Sequence, residues 1–243
     1  MITAWASCGR RTFSARVHEM SKRVLILVEG QTEERFVKDV LGPAFFDQEL
    51  FFHATILVTK RVKDGPNFKG GVTNFAKFKN DAQRLLNSAS DALVTTMLDY
   101  YRLPLDFPGM KSRPAHGTPI QRVTHVEDAI AKHFDSPPTF MPFLVLHEFE
   151  AWLFSSLTEL PRALTEPRKQ KEFAAIRAAV DTPEEINERP EFAPSKLITN
   201  LFPSYKKTLH GPTTAARIGL EQIRKECPHF NDWIKKLEKF AAT

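Results

Sequence analysis

Apolar and polar positions follow two regimes along the chain, and the change comes near residue 155. Before it, short continuous apolar runs alternate with stretches of helical periodicity. Val24 to Val28 is one such run, and its lack of alternation predicts a buried strand of a parallel sheet. Gly30 allows a tight turn, Thr32 is placed to cap a helix, and Phe36, Val37, Val40 and Leu41 fall at helical spacing. Residues 54–59 predict a second strand. Residues 72–86 carry Phe75, Phe78, Ala82 and Leu85 on one helical face. Residues 91–99 predict a third strand, 123–134 a helix, and 140–146 a fourth strand in which Pro142 marks an edge or a bulge. His147 to Phe154 then turns helical. This β-α-β-α-β-α-β alternation predicts an α/β fold with a mostly parallel sheet flanked by helices.

Beyond Ser155 strand signals stop. Short helical patterns are broken at Pro161, Pro167, Pro183, Pro190, Pro203, Pro212 and Pro228. The expected division is therefore an α/β domain over 21–156 and a helical subdomain over 157–243 packed on it. Residues 1–20 match neither part: Arg10, Arg11 and Arg16 precede any acid, as in an arginine-rich targeting peptide. Initiation at Met20, immediately before the first strand, is the simpler reading and makes 1–20 a disordered or spurious extension.

Composition narrows the class. Cys8 and Cys227 are the only two cysteines and have no metal-binding spacing, which points to a reducing, cytoplasmic setting and not to a disulfide framework. No run approaches the roughly 18 apolar residues of a membrane span. A formal charge of +5 permits a polyanionic partner. The 20 phenylalanines against 3 tyrosines and 3 tryptophans suit core packing better than base stacking.

The chemistry concentrates in acids that follow predicted strands: Glu29, Asp99, and Glu148 or Glu150. Parallel strands deliver such residues to one sheet edge, where open α/β sheets bind ligands. Carboxylates gathered there repel unless a cation or protons lie between them, and oxygen-only donors suit Mg²⁺ or Mn²⁺. Acids in these positions also cap the helices that follow, as Glu33 and Glu34 would in the first helix. Glu33 lies one turn beyond Glu29 as a supporting group. Glu148 and Glu150, two residues apart, are expected to point in different directions, leaving one of them as a ligand. His147 is a candidate proton donor, and Tyr100 and Tyr101 follow Asp99. In the loop after the second strand, Lys60, Arg61, Lys63 and Lys69 form a basic stretch suited to a phosphate backbone. Ser195 reads as an N-cap with Lys196 in the first helical turn, where a cation opposes the dipole. Tyr205, Lys206 and Lys207 make a second small basic cluster.

The runs Val-Glu-Gly-Gln-Thr-Glu-Glu-Arg-Phe at 28–36, Thr-Thr-Met-Leu-Asp-Tyr-Tyr at 95–101 and His-Glu-Phe-Glu-Ala-Trp-Leu-Phe-Ser at 147–155 resemble one family. Pro-Glu-Glu-Ile-Asn at 183–187, Ala-Pro-Ser-Lys at 193–196 and Cys-Pro-His-Phe at 227–230 extend the likeness. It is the domain-of-unknown-function family 4276, small stand-alone Toprim-like proteins of bacteria and archaea. The resemblance implies a Toprim-like fold and its Mg²⁺ (or Mn²⁺) site, with Glu29 as the first acid and Asp99 opening an Asp-x-Asp. It implies a nuclease acting on nucleic acid, as a subunit of an ATPase-coupled phage-defence system, with room for a homo-oligomer. Lys196 is by analogy the lysine that assists phosphodiester cleavage. Tyr101 stands where the second Asp would be, so Glu148 or Glu150 must complete the ligand set. The rival expectation is a non-catalytic Toprim-derived module that binds nucleic acid or regulates.

Overall fold

A computed structural model describes residues 21–60, 68–69, 72–89, 91–101, 103–186 and 192–243. Four strand positions of a parallel sheet are filled by β1 (Lys22–Val28), β2 (Leu50–Ile56), β5 (Ala92–Asp99) and the interrupted pair β6 (Phe140–Met141) and β7 (Leu144–Val145). The order is β2-β1-β5-β6, with β7 alongside the end of β5, and every pairing is parallel. Between β2 and β5, a short antiparallel ribbon forms from β3 (Val58–Lys60) and β4 (Phe68–Lys69). The second strand thus begins four residues before the expected 54 and ends at Ile56, with β3 belonging to the ribbon. Exposure alternates along it, with Phe51 and His53 turned to solvent, and among the described residues β2 is the edge strand of the sheet.

Side-chain alternation splits the core between the two faces. Leu27, Val94, Leu98 and Leu144 pack under helices α3 (Phe75–Ser88) and α4 (Pro119–His133), through Phe78, Ala82, Val123, Val126 and Ile130. Val24, Ile26, Val28, Leu93, Met97 and Val145 pack on the opposite face. There they meet α1 (Gln31–Phe36), its π-helical continuation Val37–Leu41, and the helical half of the chain. Gly30, and not Thr32, is the N-cap of α1; Thr32 lies buried in the first turn. After the π segment the chain passes through the short α2 (Gly42–Ala44) into β2.

The helical half comprises a 3₁₀ helix over Phe149–Ser155, α5 (Glu159–Ala163), α6 (Gln170–Ala178), α7 (Pro194–Leu201), α8 (Lys207–Ile218), α9 (Leu220–Glu226) and α10 (Pro228–Ala242). Aromatic rings join it to the sheet. Phe143 stacks on Trp233 at 4.5 Å, Trp152 meets Phe230 at 4.5 Å, and Phe36 meets Phe149 and Trp152 at 5.4 and 5.3 Å. Each such pair adds roughly 0.5–1.5 kcal/mol beyond its area burial.

Pro142 interrupts the fourth strand, because it has no N–H for the ladder. Two threonines in the buried β5 bridge the gap. Thr96 Oγ1 donates to Phe143 O (2.6 Å) and accepts from Phe143 N (2.9 Å), while Thr95 Oγ1 donates to Met141 O (2.6 Å) and accepts from Trp233 Nε1 (3.0 Å). The outer edge of β7 is closed by side chains. Glu127 Oε1 accepts from Leu144 N at 2.7 Å and lies 3.0 Å from His229 Nε2, which is 3.2 Å from Leu144 O. Glu127→Ala would strand a buried N–H and a buried imidazole, so denaturant unfolding is expected to show a loss of about 2–3 kcal/mol. Glu127→Gln, which keeps the acceptor oxygen, should lose clearly less. Equal losses would mean that the edge is not held by this clasp.

Candidate functional site: a carboxylate cluster at the sheet edge

The strand order reverses around β1: the chain steps from β1 to β2 on one side, then returns to β5 on the other. Such a reversal opens a crevice at the carboxyl ends of the strands. Glu29 follows β1 and Asp99 ends β5, and the two are tied together, since Asp99 N donates to Glu29 Oε2 at 3.1 Å. Asp99 Oδ1 in turn accepts from Phe149 N at 3.1 Å. Glu33 reaches back from α1 and accepts from Gly30 N at 2.9 Å, which buries its carboxyl beside Glu29.

Glu148 and Glu150 arrive from the other side. His147 adopts a left-handed backbone (φ 69°), rare for a residue with a Cβ, and its carbonyl accepts from Tyr101 N at 3.1 Å. This bend passes the chain from β7 into the 3₁₀ helix. Glu148 is extended at its N-cap and Glu150 sits in its first turn. Contrary to the spacing argument, both therefore reach one point: Lys207 Nζ lies 3.6 Å from Glu148 Oε1 and 3.2 Å from Glu150 Oε2. The change from extended to 3₁₀ backbone between them cancels the divergence expected within one regular element. Glu148 Oε2 also accepts from Ser195 N at 3.0 Å, so the N-terminus of α7 is capped from outside the helix. Ser195 itself lies inside the first turn, after an Ala193 N-cap. Tyr205 donates to Glu150 Oε1 at 3.3 Å.

Lys207 and Tyr205 come from the start of α8 and the turn before it. Gly211 lets this helix pass close to α1: a Cβ there would stand 3.3 Å from Thr32 Cγ2 and from Tyr205 Oη. Arg35 Nη1 fastens the same turn through Thr208 O at 2.9 Å. The lysine that the sequence left as part of an ambiguous basic cluster is thus the cation paired with Glu148 and Glu150. Lys207 opens a helix where a cation opposes the dipole, but the start of that helix is not marked in the local pattern. The same reasoning drew attention to Lys196, which is exposed in α7 and makes no ion pair among the described residues.

Electrostatics follow from the gathering of five carboxylates, three of which, Glu148, Glu150 and Asp99, act on the Lys207 ammonium. Burial, then the charges of Glu29 and Glu150, raise Glu33 to about 7. Burial and the charges of Glu29, Glu33 and Glu150 push Asp99 well above the usual carboxylate range. Burial also raises Glu150, against the pull of Lys207. For Lys207 burial acts downward, but Glu150, Glu148 and Asp99 outweigh it and hold the ammonium charged. Burial and Glu150 raise the Tyr205 phenol, keeping it a donor.

Of the remaining candidates, His147 is buried at the bend and Tyr100 belongs to the core under α3 and α4. Lys60 and Lys69 lie on the β3–β4 ribbon, which leaves the carboxyl end of β2 and so starts at the same sheet edge as Glu29. Arg61 and Lys63 fall outside the described residues. Among the described residues no three acids, histidines or cysteines are grouped to hold a metal ion as they stand. Each carboxyl is turned toward a donor. The donor set itself suits a hard divalent cation: it is all oxygen, and it is poorly hydrated enough to favour a compensating charge.

The model for the domain of unknown function DUF4276 matches residues 28–238. This chain belongs to the DUF4276 family. The match runs from the last residue of β1 through the other strands of the sheet to the helical half that supplies Lys207, so the carboxylate cluster is built wholly within the DUF4276 region. No curated protein and no solved structure matches the chain. Among the described residues of this DUF4276 protein no helix is long and apolar enough to cross a membrane.

The proton held by Glu33 gives a pH signature. Folded, it is retained up to about pH 7; unfolded, it leaves near the ordinary 4.5. Below 4.5 both states are protonated. As pH rises from 4.5 to 7 the unfolded chain releases its proton first, and the fold loses stability, on the order of 3 kcal/mol once ionised. His229, whose imidazole is raised by Glu127 despite burial, acts with the same sign. In chelator-treated protein the melting temperature is therefore expected to fall between pH 5 and 8, and Glu33→Gln to reduce that fall. An unchanged fall in the variant would place the titrating proton elsewhere.

Proposed function

We propose that this protein is a Toprim-like, divalent-cation-dependent nuclease that hydrolyses phosphodiester bonds. The observation that carries the reading is the coupling of Glu29 and Asp99 at the carboxyl ends of adjacent parallel strands, where the strand order reverses. Glu29, Asp99 and Glu33 would hold Mg²⁺ or Mn²⁺. A bound cation of this kind polarises a phosphoryl oxygen and lowers the pKa of a coordinated water.

The chain's own groups prepare that site. The Asp99 and Phe149 amides aim the Glu29 and Asp99 carboxylates, which limits reorganisation when charge develops. Lys207 keeps a fixed positive charge on the solvent side of Glu148 and Glu150, and the Tyr205 phenol remains a hydrogen-bond donor. The ribbon that carries Lys60 and Lys69 departs from the same edge, a suitable track for a phosphate backbone. An ATPase partner would add the energy-coupled step that this chain does not itself supply.

One observation favours the rival, a non-catalytic Toprim-derived module that binds nucleic acid. Tyr101 occupies the position of a second acid, and Lys207 already neutralises Glu148 and Glu150. Purified protein incubated with plasmid DNA and a structured RNA decides between them. Cleavage is expected with Mg²⁺ or Mn²⁺, falling at least about 100-fold in Glu29→Gln and in Asp99→Asn, as for loss of a key electrostatic group. At 100 times its dissociation constant the cation should also stabilise the fold by about 2.7 kcal/mol. Saturable binding of either nucleic acid without metal-dependent cutting, with and without an ATPase partner, would favour the module.

A further inference from the structure

The carboxylate cluster has two unequal halves. In the Glu148–Glu150 half, every carboxyl oxygen already accepts a hydrogen bond from the protein or is ion-paired with Lys207. Glu148 Oε2 accepts from Ser195 N and Glu150 Oε1 from Tyr205 Oη, while Glu148 Oε1 and Glu150 Oε2 face Lys207 Nζ. In the other half, Asp99 Oδ1 and Glu33 Oε2 are each engaged by a backbone amide. Asp99 Oδ2 and Glu33 Oε1 accept no hydrogen bond among the described residues.

The ammonium stands where a bridging cation would. It is 3.2 and 3.6 Å from oxygens of two different glutamates that are themselves only 1% and 5% exposed, whereas the lysine side chain is 46% exposed. Lys207 thus inserts from the solvent side over a pair of acids that could not remain buried and charged without it. Its position is set by packing: Gly211 brings α8 against α1, and Arg35 holds the carbonyl of Thr208.

Building on the metal reading above, we propose that Lys207 takes the place of a second metal ion, so that the cluster accepts one divalent cation, on its Glu29–Glu33–Asp99 side. A two-metal centre places its ions about 3.5–4 Å apart and uses both to clamp the attacking and leaving oxygens. Here the second positive charge is covalently part of the chain. It cannot be removed by chelation, and it brings no water of its own.

The test counts Mn²⁺ bound to metal-free protein by equilibrium titration and electron paramagnetic resonance, with no turnover involved. Wild type is expected to bind one Mn²⁺ per chain with the spectrum of a magnetically isolated ion. Lys207→Met removes the charge at similar length and should raise the count to two, with spin coupling between the ions. Lys207→Gln, which keeps a hydrogen-bond donor for Glu150, should do the same and serves if the Met variant does not fold. Lys207→Arg should stay at one. A coupled pair in wild type overturns the inference, as does a count of one in both neutral variants. Absence of any bound Mn²⁺ in wild type defeats the metal reading itself and the inference with it, which separates that failure from the other two.

Discussion

The structure is organised around an unfavourable electrostatic fact: five carboxylates meet at one edge of a parallel sheet. Uncompensated, such a cluster would be among the costliest features a fold of this size could carry, since each buried charge without a partner costs several kcal/mol. Three kinds of compensation are visible. Backbone amides of Gly30, Asp99, Phe149 and Ser195 each point at a carboxyl oxygen. Lys207 supplies a full positive charge. Burial and neighbouring charges also raise the proton affinities of Glu33, Asp99 and Glu150, which favours retained protons among them. A site tuned this way answers strongly to any added cation, which is why its charge balance and its chemistry cannot be discussed separately.

Compensation also explains why the helical half is present where it is. Lys207, Tyr205 and the Ser195 amide all come from beyond residue 156, whereas Glu29, Asp99 and Glu148 come from the sheet and its edge. The two parts share a single hydrophobic core, fastened by rings of Phe36, Phe143, Trp152, Phe230 and Trp233. Aromatic packing of this kind resists sliding, because interiors are close-packed. The ammonium of Lys207 is accordingly positioned by contacts far from the charges it serves.

The central strands could be read from the chain because they are buried on both faces: Val24–Val28 is an unbroken apolar run, and Ala92–Leu98 is broken only by the buried Thr95 and Thr96. The edge strand β2 was placed late because exposure on one side dilutes the pattern at Phe51 and His53. That Glu29 and Asp99 share an edge followed from parallel pairing alone. What the chain could not disclose was anything that depends on a bend or a long-range approach. The left-handed His147 turns Glu148 and Glu150 toward a common point, and no local pattern in His-Glu-Phe-Glu announces it. Lys207 is separated from Glu150 by 57 residues and reaches it only through the passage of α8 along α1. The dipole argument singled out Lys196 and left Lys207 in a basic cluster, because the start of α8 at Lys207 is not marked in the local pattern.

The threonine pair in β5 shows the same logic applied to neutral groups. A proline in the fourth strand deprives the sheet of a ladder bond beside the site, and Thr95 and Thr96 repair it from the neighbouring strand. Glu127 and His229 then close the outer edge. Across the break β7 keeps the register of β6 against β5: Thr95 pairs with Met141 before it and Asp99 with Val145 after it. From that register the chain enters the His147 bend at the level of the carboxylates. The threonine bridges thus span the gap while the register holds, and that register delivers Glu148 and Glu150 to the same edge as Glu29. A slip of that register by even one residue would turn every side chain of β7 to the other face and misplace both acids relative to Lys207.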